Sequence, residues 1–313
     1  NFKWVFAERG FATNTWTGTT GSDWDNTNNW SRNRSTIFTD TVVIPGACPN
    51  YPFLDFDKRV LSLAISNGAS MSLNGYNLTV DEDTKVAGTL TAVGAAILTF
   101  GGDLDFSGGG VFNAASSTVR IVGSNAQSVV SAGNTFQQLA LDNSGAPVVF
   151  ADAVVATNIV NLARPVTFGS AVTVASVFRT QGTNVIFGGA VTAPVFYNEN
   201  GALVFSGVVA TASFTNWQGD LTFGDDFSSR EFYGAPGGMT FTFKAGKTYT
   251  IGNFDVYGRN GYPLVLHSST DGSGWNLNVT NWAKVRQVDV KDSHAEAGQT
   301  IQPVASANSG NNT

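Results

Sequence analysis

Four groups of neighbouring carboxylates are the residues whose spacing could carry acid–base or metal chemistry: Asp55 with Asp57, Asp81 and Asp83 around Glu82, Asp103 with Asp105, and Asp225 with Asp226. Two carboxyl groups flanking one bond can act as acid and base in polysaccharide cleavage, and clustered oxygens beside a basic residue can hold calcium and its substrate. In an extended strand residues i and i+2 share a face, so Asp103 and Asp105 could converge. Yet "GGDLDFSGG" reads equally as a strand with a wet outer face, and none of the pairs recurs at a fixed spacing with an Arg or Lys in matching phase. "VDEDT" is the best isolated calcium candidate.

The other reactive residues are sparse. His267 and His294 stand far apart with no ligand spacing around them, which disfavours zinc. The single cysteine, Cys48, excludes an internal disulfide; as a small residue it is expected to be buried, the alternative being an intermolecular bridge or attachment point. There is no G-x-S-x-G nucleophile motif and no phosphate-binding P-loop. No catalytic residue, cofactor or metal is expected.

Composition narrows the class further. Of 313 residues 42% are hydrophobic and 13% charged, enough for a sizeable core. The net charge of -6, with 17 Lys and Arg scattered singly, leaves no basic stripe for phosphates, so nucleic acid is not an expected partner. No apolar run approaches the roughly 18 residues that cross a bilayer as a helix. The 35 glycines with abundant Thr, Ser, Asn, Val and Phe are a strand-and-turn composition. Scarce Lys, Glu, His and Met point to secretion, and a start at Asn1 rather than Met suggests a processed chain or a piece of a longer one.

The elements that must position any site are short strands in a repeat. "VVFADAVVATNIV", "VTFGSAVTVASVF", "VIFGGAVTAPVF", "LVFSGVVATASF" and "LTFGDDFSSREF" place Phe150, Phe168, Phe187, Phe205 and Phe223 at spacings of 18, 19, 18 and 18. A further unit follows with Phe241 or Phe243 at the anchor, and Phe100 marks an earlier, less regular copy. Each unit is a strand, a small-residue corner and a second strand. Units of this size cannot bury their own apolar face and must stack, which predicts a parallel β-helix with coils of about 18–20 residues and a phenylalanine column inside. A β-sandwich would show hairpin signals at less uniform spacing.

The organisation read from the sequence is one continuous solenoid: residues 1–58 an N-terminal strand and Trp-rich cap, 59–243 the coils, and 244–313 further β-rich coils with an end cap. Trp16, Trp24 and Trp30 lie in a loop-rich setting, where they serve either as a plug over the exposed core or, with Asn, Asp and Thr nearby, as an exposed face for sugar rings.

"WTGTTGSDWDNTNNW", "DTVVIPGACPNYP", "LAISNGASMSLNGYNLTV", "FKAGKTYTIGNFDVYG", "LHSSTDGSGWNL" and "VRQVDVKDSHAEAGQTIQPVASANSGNNT" resemble the successive signatures of modules in large, repetitive bacterial cell-surface and secreted proteins. The resemblance spans both ends, about half the chain. It implies a right-handed parallel β-helix and an extracellular structural or adhesive role rather than a defined reaction. In similar sequences "GNNT" runs directly into a short aromatic strand; here that strand stands at the start, as "NFKWVF".

That split motif suggests that the strand completing one copy is carried by the next, as a tandem array or as a strand donated between subunits. "NFKWVF" alternates, placing Phe2, Trp4 and Phe6 on one face, and such a segment left alone exposes three aromatics and an unpaired edge. Added to a neighbour it completes a sheet, and a head-to-tail contact of this kind need not close. The residues expected to mediate self-assembly are Phe2, Trp4, Phe6, Asn311, Asn312 and Thr313. The expected function is a structural subunit of an extracellular bacterial filament or appendage whose partner is itself; the alternatives are a carbohydrate-binding adhesin working through Trp16, Trp24 and Trp30, and a polysaccharide-degrading β-helix enzyme.

Overall fold

Strict alternation decides which side chains go inside: in Val166–Phe168 and Leu203–Phe205 the outer two residues are buried and the middle one is not. Such three-residue strands bury too little alone, and stability must come from pairing with the same segment one turn away. A computed structural model of the chain describes residues 12–162, 165–181, 184–235 and 237–313. In it, 53% of the chain is strand, and parallel sheets stack as a β-solenoid of about 13 turns. Among the described residues the helical content is one 3-10 turn, Thr27–Asn29.

The chain divides into two compact units, Asn1–Gly123 with Ser128–Gln137, and Ser124–Gln127 with Gln138–Thr313. In the first, Ala12–Thr15, Asp40–Ile44, Ser62–Ile65, Thr84–Val86 and Leu104–Asp105 pair in parallel, each with the next. A second sheet joins Lys58–Val60, Leu78–Val80, Ile97–Phe100 and Thr118–Gly123. A third joins Ser70–Ser72, Thr89–Thr91 and Val111–Asn113. Phe100 pairs with Val80 and Ile121, so it is no rung of a phenylalanine column, contrary to the expectation from its sequence context.

In the second unit the anchor phenylalanines stack in register. Phe150 pairs with Phe168, then Phe187, Phe205, Phe223 and Phe243, which settles the last anchor as Phe243 rather than Phe241. Successive ring centroids lie 4.9, 5.3, 4.9, 5.4 and 5.7 Å apart. A second column, Phe178, Phe196, Phe214 and Phe232, stacks at 4.7, 5.0 and 5.2 Å on the longer strands of the facing sheet. The columns meet edge to face, as Phe187 does with Phe178 at 65° and with Phe196 at 68°. Offset stacks and edge contacts are the arrangements the ring quadrupole favours, each contributing about 0.5–1.5 kcal/mol beyond area burial.

A buried polar column borders these rings. Asn161, Thr180, Asn198 and Asn216 occupy one register position and are fully buried. The Asn198 amide donates to Asn216 Oδ1 (2.6 Å) and to the Gly201 carbonyl (2.9 Å), and Asn216 donates to the Gly219 carbonyl (2.9 Å). Corner carbonyls that no strand pairs with are satisfied in this way. The next rung holds Gly234, where a Cβ would stand 2.7 Å from the Phe241 ring, so the ladder stops because the aromatic core takes its space.

Candidate functional site

The carboxylates singled out by their spacing do not converge on a shared centre. Asp57 takes the backbone and side-chain amides of Asn77, at 2.8 and 2.9 Å. Asp81 pairs with Arg59 (2.9 Å), and Asp83 accepts from the backbone of Asp103 (3.0 Å). Asp103 accepts from the backbone of Ser128 and Asp105 from that of Ser107, each at 2.7 Å, so the two do not share a ligand. Asp225 pairs with Lys247 at 2.5 Å, while Asp226 accepts from the backbone of Thr248 at 2.8 Å.

Most of these partners lie one turn away. Arg59–Asp81, Arg179–Glu199, Lys247–Asp225 and Lys291–Asp271 are ion pairs between residues 20 to 22 positions apart. The acids therefore fasten rung to rung along the outer faces. Among the described residues no three His, Cys, Asp or Glu side chains come together as a metal site. His267 bonds the Thr242 hydroxyl (3.1 Å), and Cys48 is half-buried with its thiol at 3.5 Å from the Trp16 carbonyl, burial pushing the thiol's pKa up.

These bonds predict an acid response. The amides of Asn77 hold Asp57 below the ordinary carboxylate range, Ser107 holds Asp105 there, Lys247 holds Asp225 and Asn311 holds Asp292. Asp55 is pushed the other way, by burial and by its neighbour Asp25. A lowered carboxyl contributes stability above its unfolded value of about 3.9, lost as pH falls through the folded value; a raised one has the opposite sign. Lowered groups dominate, so circular-dichroism melts should show a steady midpoint down to about pH 4 and a falling one below it. A midpoint that rises on acidification would contradict this assignment.

At the beginning of the first unit, Trp16, Trp24 and Trp30 form one buried cluster. Trp30 packs edge-on to Trp16 at 5.0 Å and to Trp24 at 4.8 Å, and all three are 0–1% exposed. Each indole N–H is used: Trp16 donates to the Asn50 carbonyl (2.7 Å), Trp24 to Thr36 Oγ1 (2.9 Å) and Trp30 to the Trp24 carbonyl (2.6 Å). Asp40, also buried, receives both Arg34 nitrogens at 2.6 Å and closes the loop behind them. This corrects the reading of the three tryptophans as an exposed sugar platform: their faces are covered by one another, and a pyranose has nothing to stack on.

In the second unit, Asn311, Asn312 and Thr313 are closely bonded to neighbouring strands. Asn312 Oδ1 accepts from the backbone of Ser293 (2.8 Å), while its amide donates to the Val290 carbonyl (2.8 Å) and to Asn308 Oδ1 (2.7 Å). Asn311 takes φ of 55°, which asparagine tolerates, and donates to Asp292 (2.8 Å). Thr313 donates to the Ser293 carbonyl and accepts from the Ala295 amide, both at 2.9 Å, the alternating exchange of a parallel ladder. Thr313 thus lies in parallel register with His294. Beside it lies an apolar hollow of about 200 Å³ whose lining includes Phe254, Leu266, Leu277, Val285, Val290 and Ile301, with Asn312 and Thr313 at its rim.

Of the residues expected to mediate self-assembly, Asn312 and Thr313 line this hollow, Asn311 turns to Asp292 instead, and Phe2, Trp4 and Phe6 lie outside the described residues. The hollow itself was not legible in the sequence, because its lining residues come from six strands and the loops between them, spread over 254–313. Comparisons with protein-family models, curated proteins and solved structures found no match to this chain.

Proposed function

We propose that this chain is a structural unit of an extracellular bacterial filament or surface appendage, joined head to tail by addition of the "NFKWVF" strand of one copy to the C-terminal end of the copy before it. The observation that carries the reading is an apolar hollow lined by Asn312 and Thr313, beside a parallel ladder on Ser293–His294. A strand entering there would continue the parallel ladder through backbone bonds, and the hollow has room for one aromatic side chain of the three that the strand carries. Trp16, Trp24 and Trp30, by contrast, are already covered by one another and offer no such opening. The resemblance of the end motifs to repetitive bacterial surface modules is the support for reading such contacts as extracellular. Carboxylates tied up between rungs suit a load-bearing stack more than a reaction centre.

The test is negative-stain microscopy of the purified chain beside a variant lacking residues 1–6. Filaments that vanish with the deletion are the expected result. Monomers in both samples overturn strand donation between free subunits.

A further inference from the structure

Beneath the tryptophan cluster, one lysine and two aspartates form a group that the proposed assembly does not use. Lys58 opens the strand Lys58–Val60, its backbone fixed to the Asn77 carbonyl at 2.9 Å, yet its side chain turns inward and is 7% exposed. Its Nζ lies 2.5 Å from Asp25 Oδ2 and 3.0 Å from the centre of the Phe56 ring. Asp25 is held from its other side, Oδ1 accepting the Ser35 hydroxyl at 2.6 Å. The third member, Asp55, has its Oδ1 at 3.6 Å from the same Nζ, buried and without a hydrogen-bond partner.

An ordinary ion pair accounts for the first contact but leaves an orphaned, buried carboxyl oxygen next to it, which is costly unless that group carries a proton or acts on its neighbours. Burial together with the nearby Asp25 raises the Asp55 pKa, favouring its acid form. Burial also works against Asp25 being charged, although the Lys58 and Ser35 bonds outweigh it and keep its pKa low. The resting state is therefore an ion pair, from which one proton transfer along a 2.5 Å hydrogen bond produces an amine facing a carboxylic acid.

We propose that Lys58 and Asp25 become joined by an isopeptide bond that the folded chain makes by itself. Once the ammonium has passed its proton to Asp25, Nζ attacks Cγ of Asp25, and the oxygen that gathers negative charge is the one already held by the Ser35 hydroxyl. Asp55 gives its proton to the departing hydroxyl and takes one from the nitrogen, ending as it began. One C–N bond forms, one C–O bond breaks and one water leaves; no oxidant, reductant or cofactor enters. Amide formation in water is opposed by ionisation of both partners, and here the fold supplies contact and partial dryness in place of activation. The bond would tie the loop carrying Trp24 to the strand on which it rests, 33 residues further along the chain.

The experiment is mass spectrometry on the denatured full-length chain, with tryptic mapping. The expected result is an intact mass lighter by one water than the sequence requires, and a branched peptide joining the segment with Asp25 to the segment with Lys58. Lys58→Arg and Asp55→Asn should each restore the full mass and release two linear peptides. The branched peptide distinguishes the cross-link from an aspartyl succinimide, which also loses water but would survive Lys58→Arg. A native chain of full mass, or one lighter by water without the branch, overturns the proposal. A branch that persists in Asp55→Asn overturns the role given to Asp55.

Discussion

Replacing Phe187 by alanine is expected to cost about 3–5 kcal/mol, the range for a fully buried aromatic truncated to a methyl group. Phe187 is 0% exposed and touches four other rings: Phe168 and Phe205 in its own column, Phe178 and Phe196 in the facing one. No neighbour can collapse into the gap without leaving its own stack, so the loss should sit at the high end. Ile186→Ala, on the same strand but 42% exposed, should change stability by less than about 0.5 kcal/mol. Urea unfolding of both variants checks the contrast. In stacked repeats each unit leans on its neighbours, so amide exchange should also show protection lost first in Val166–Phe168 and Leu203–Phe205, the strands that pair with Val185–Phe187. Equal losses from the two substitutions would mean that the column is not what holds the rungs.

The anchor column was legible because one residue type returns every 18 or 19 positions and alternation fixes its face. The second column was equally present, Phe178, Phe196, Phe214 and Phe232 recurring every 18 residues at the end of each unit, but it goes unnoticed when only the first phenylalanine is used to align them. The first unit hides its turns for a different reason. Its stacked positions carry Leu63, Thr84, Leu104 and Val129, so no one residue type returns at every turn and only the register reveals the coil.

The site was less legible than the fold. Neighbouring carboxylates drew attention as pairs along the chain, whereas their partners lie one turn away: Asp81 with Arg59 and Asp225 with Lys247 are each separated by 22 residues. Once the turn length is known, opposite charges about 20 residues apart can be found in the sequence, and they mark outer faces rather than a reaction centre. The tryptophans show the opposite difficulty. A loop rich in Asn, Asp, Thr and Gly looks exposed by composition, yet it can fold over its own indoles when each N–H finds an acceptor, as Asn50, Thr36 and Trp24 provide here.

That enclosure makes the cluster the second place where one side chain should matter most. Trp30→Ala removes the ring that packs against both Trp16 and Trp24, together with the donor to the Trp24 carbonyl, and should cost about 3–5 kcal/mol. Trp30→Phe separates the two contributions. It keeps most of the apolar packing and leaves one buried carbonyl without its donor, a loss of about 1–3 kcal/mol. Trp217, 42% exposed and packed only edge-on to Tyr233 among the described rings, is the control, and Trp217→Ala should stay within about 1 kcal/mol of the native chain. Denaturant titrations followed by near-ultraviolet circular dichroism read all three, since coupled indoles give the cluster a signal of its own. If Trp30→Ala proved no more harmful than Trp217→Ala, the three tryptophans would not be the seal of the core, and a role for them at the surface would have to be considered again.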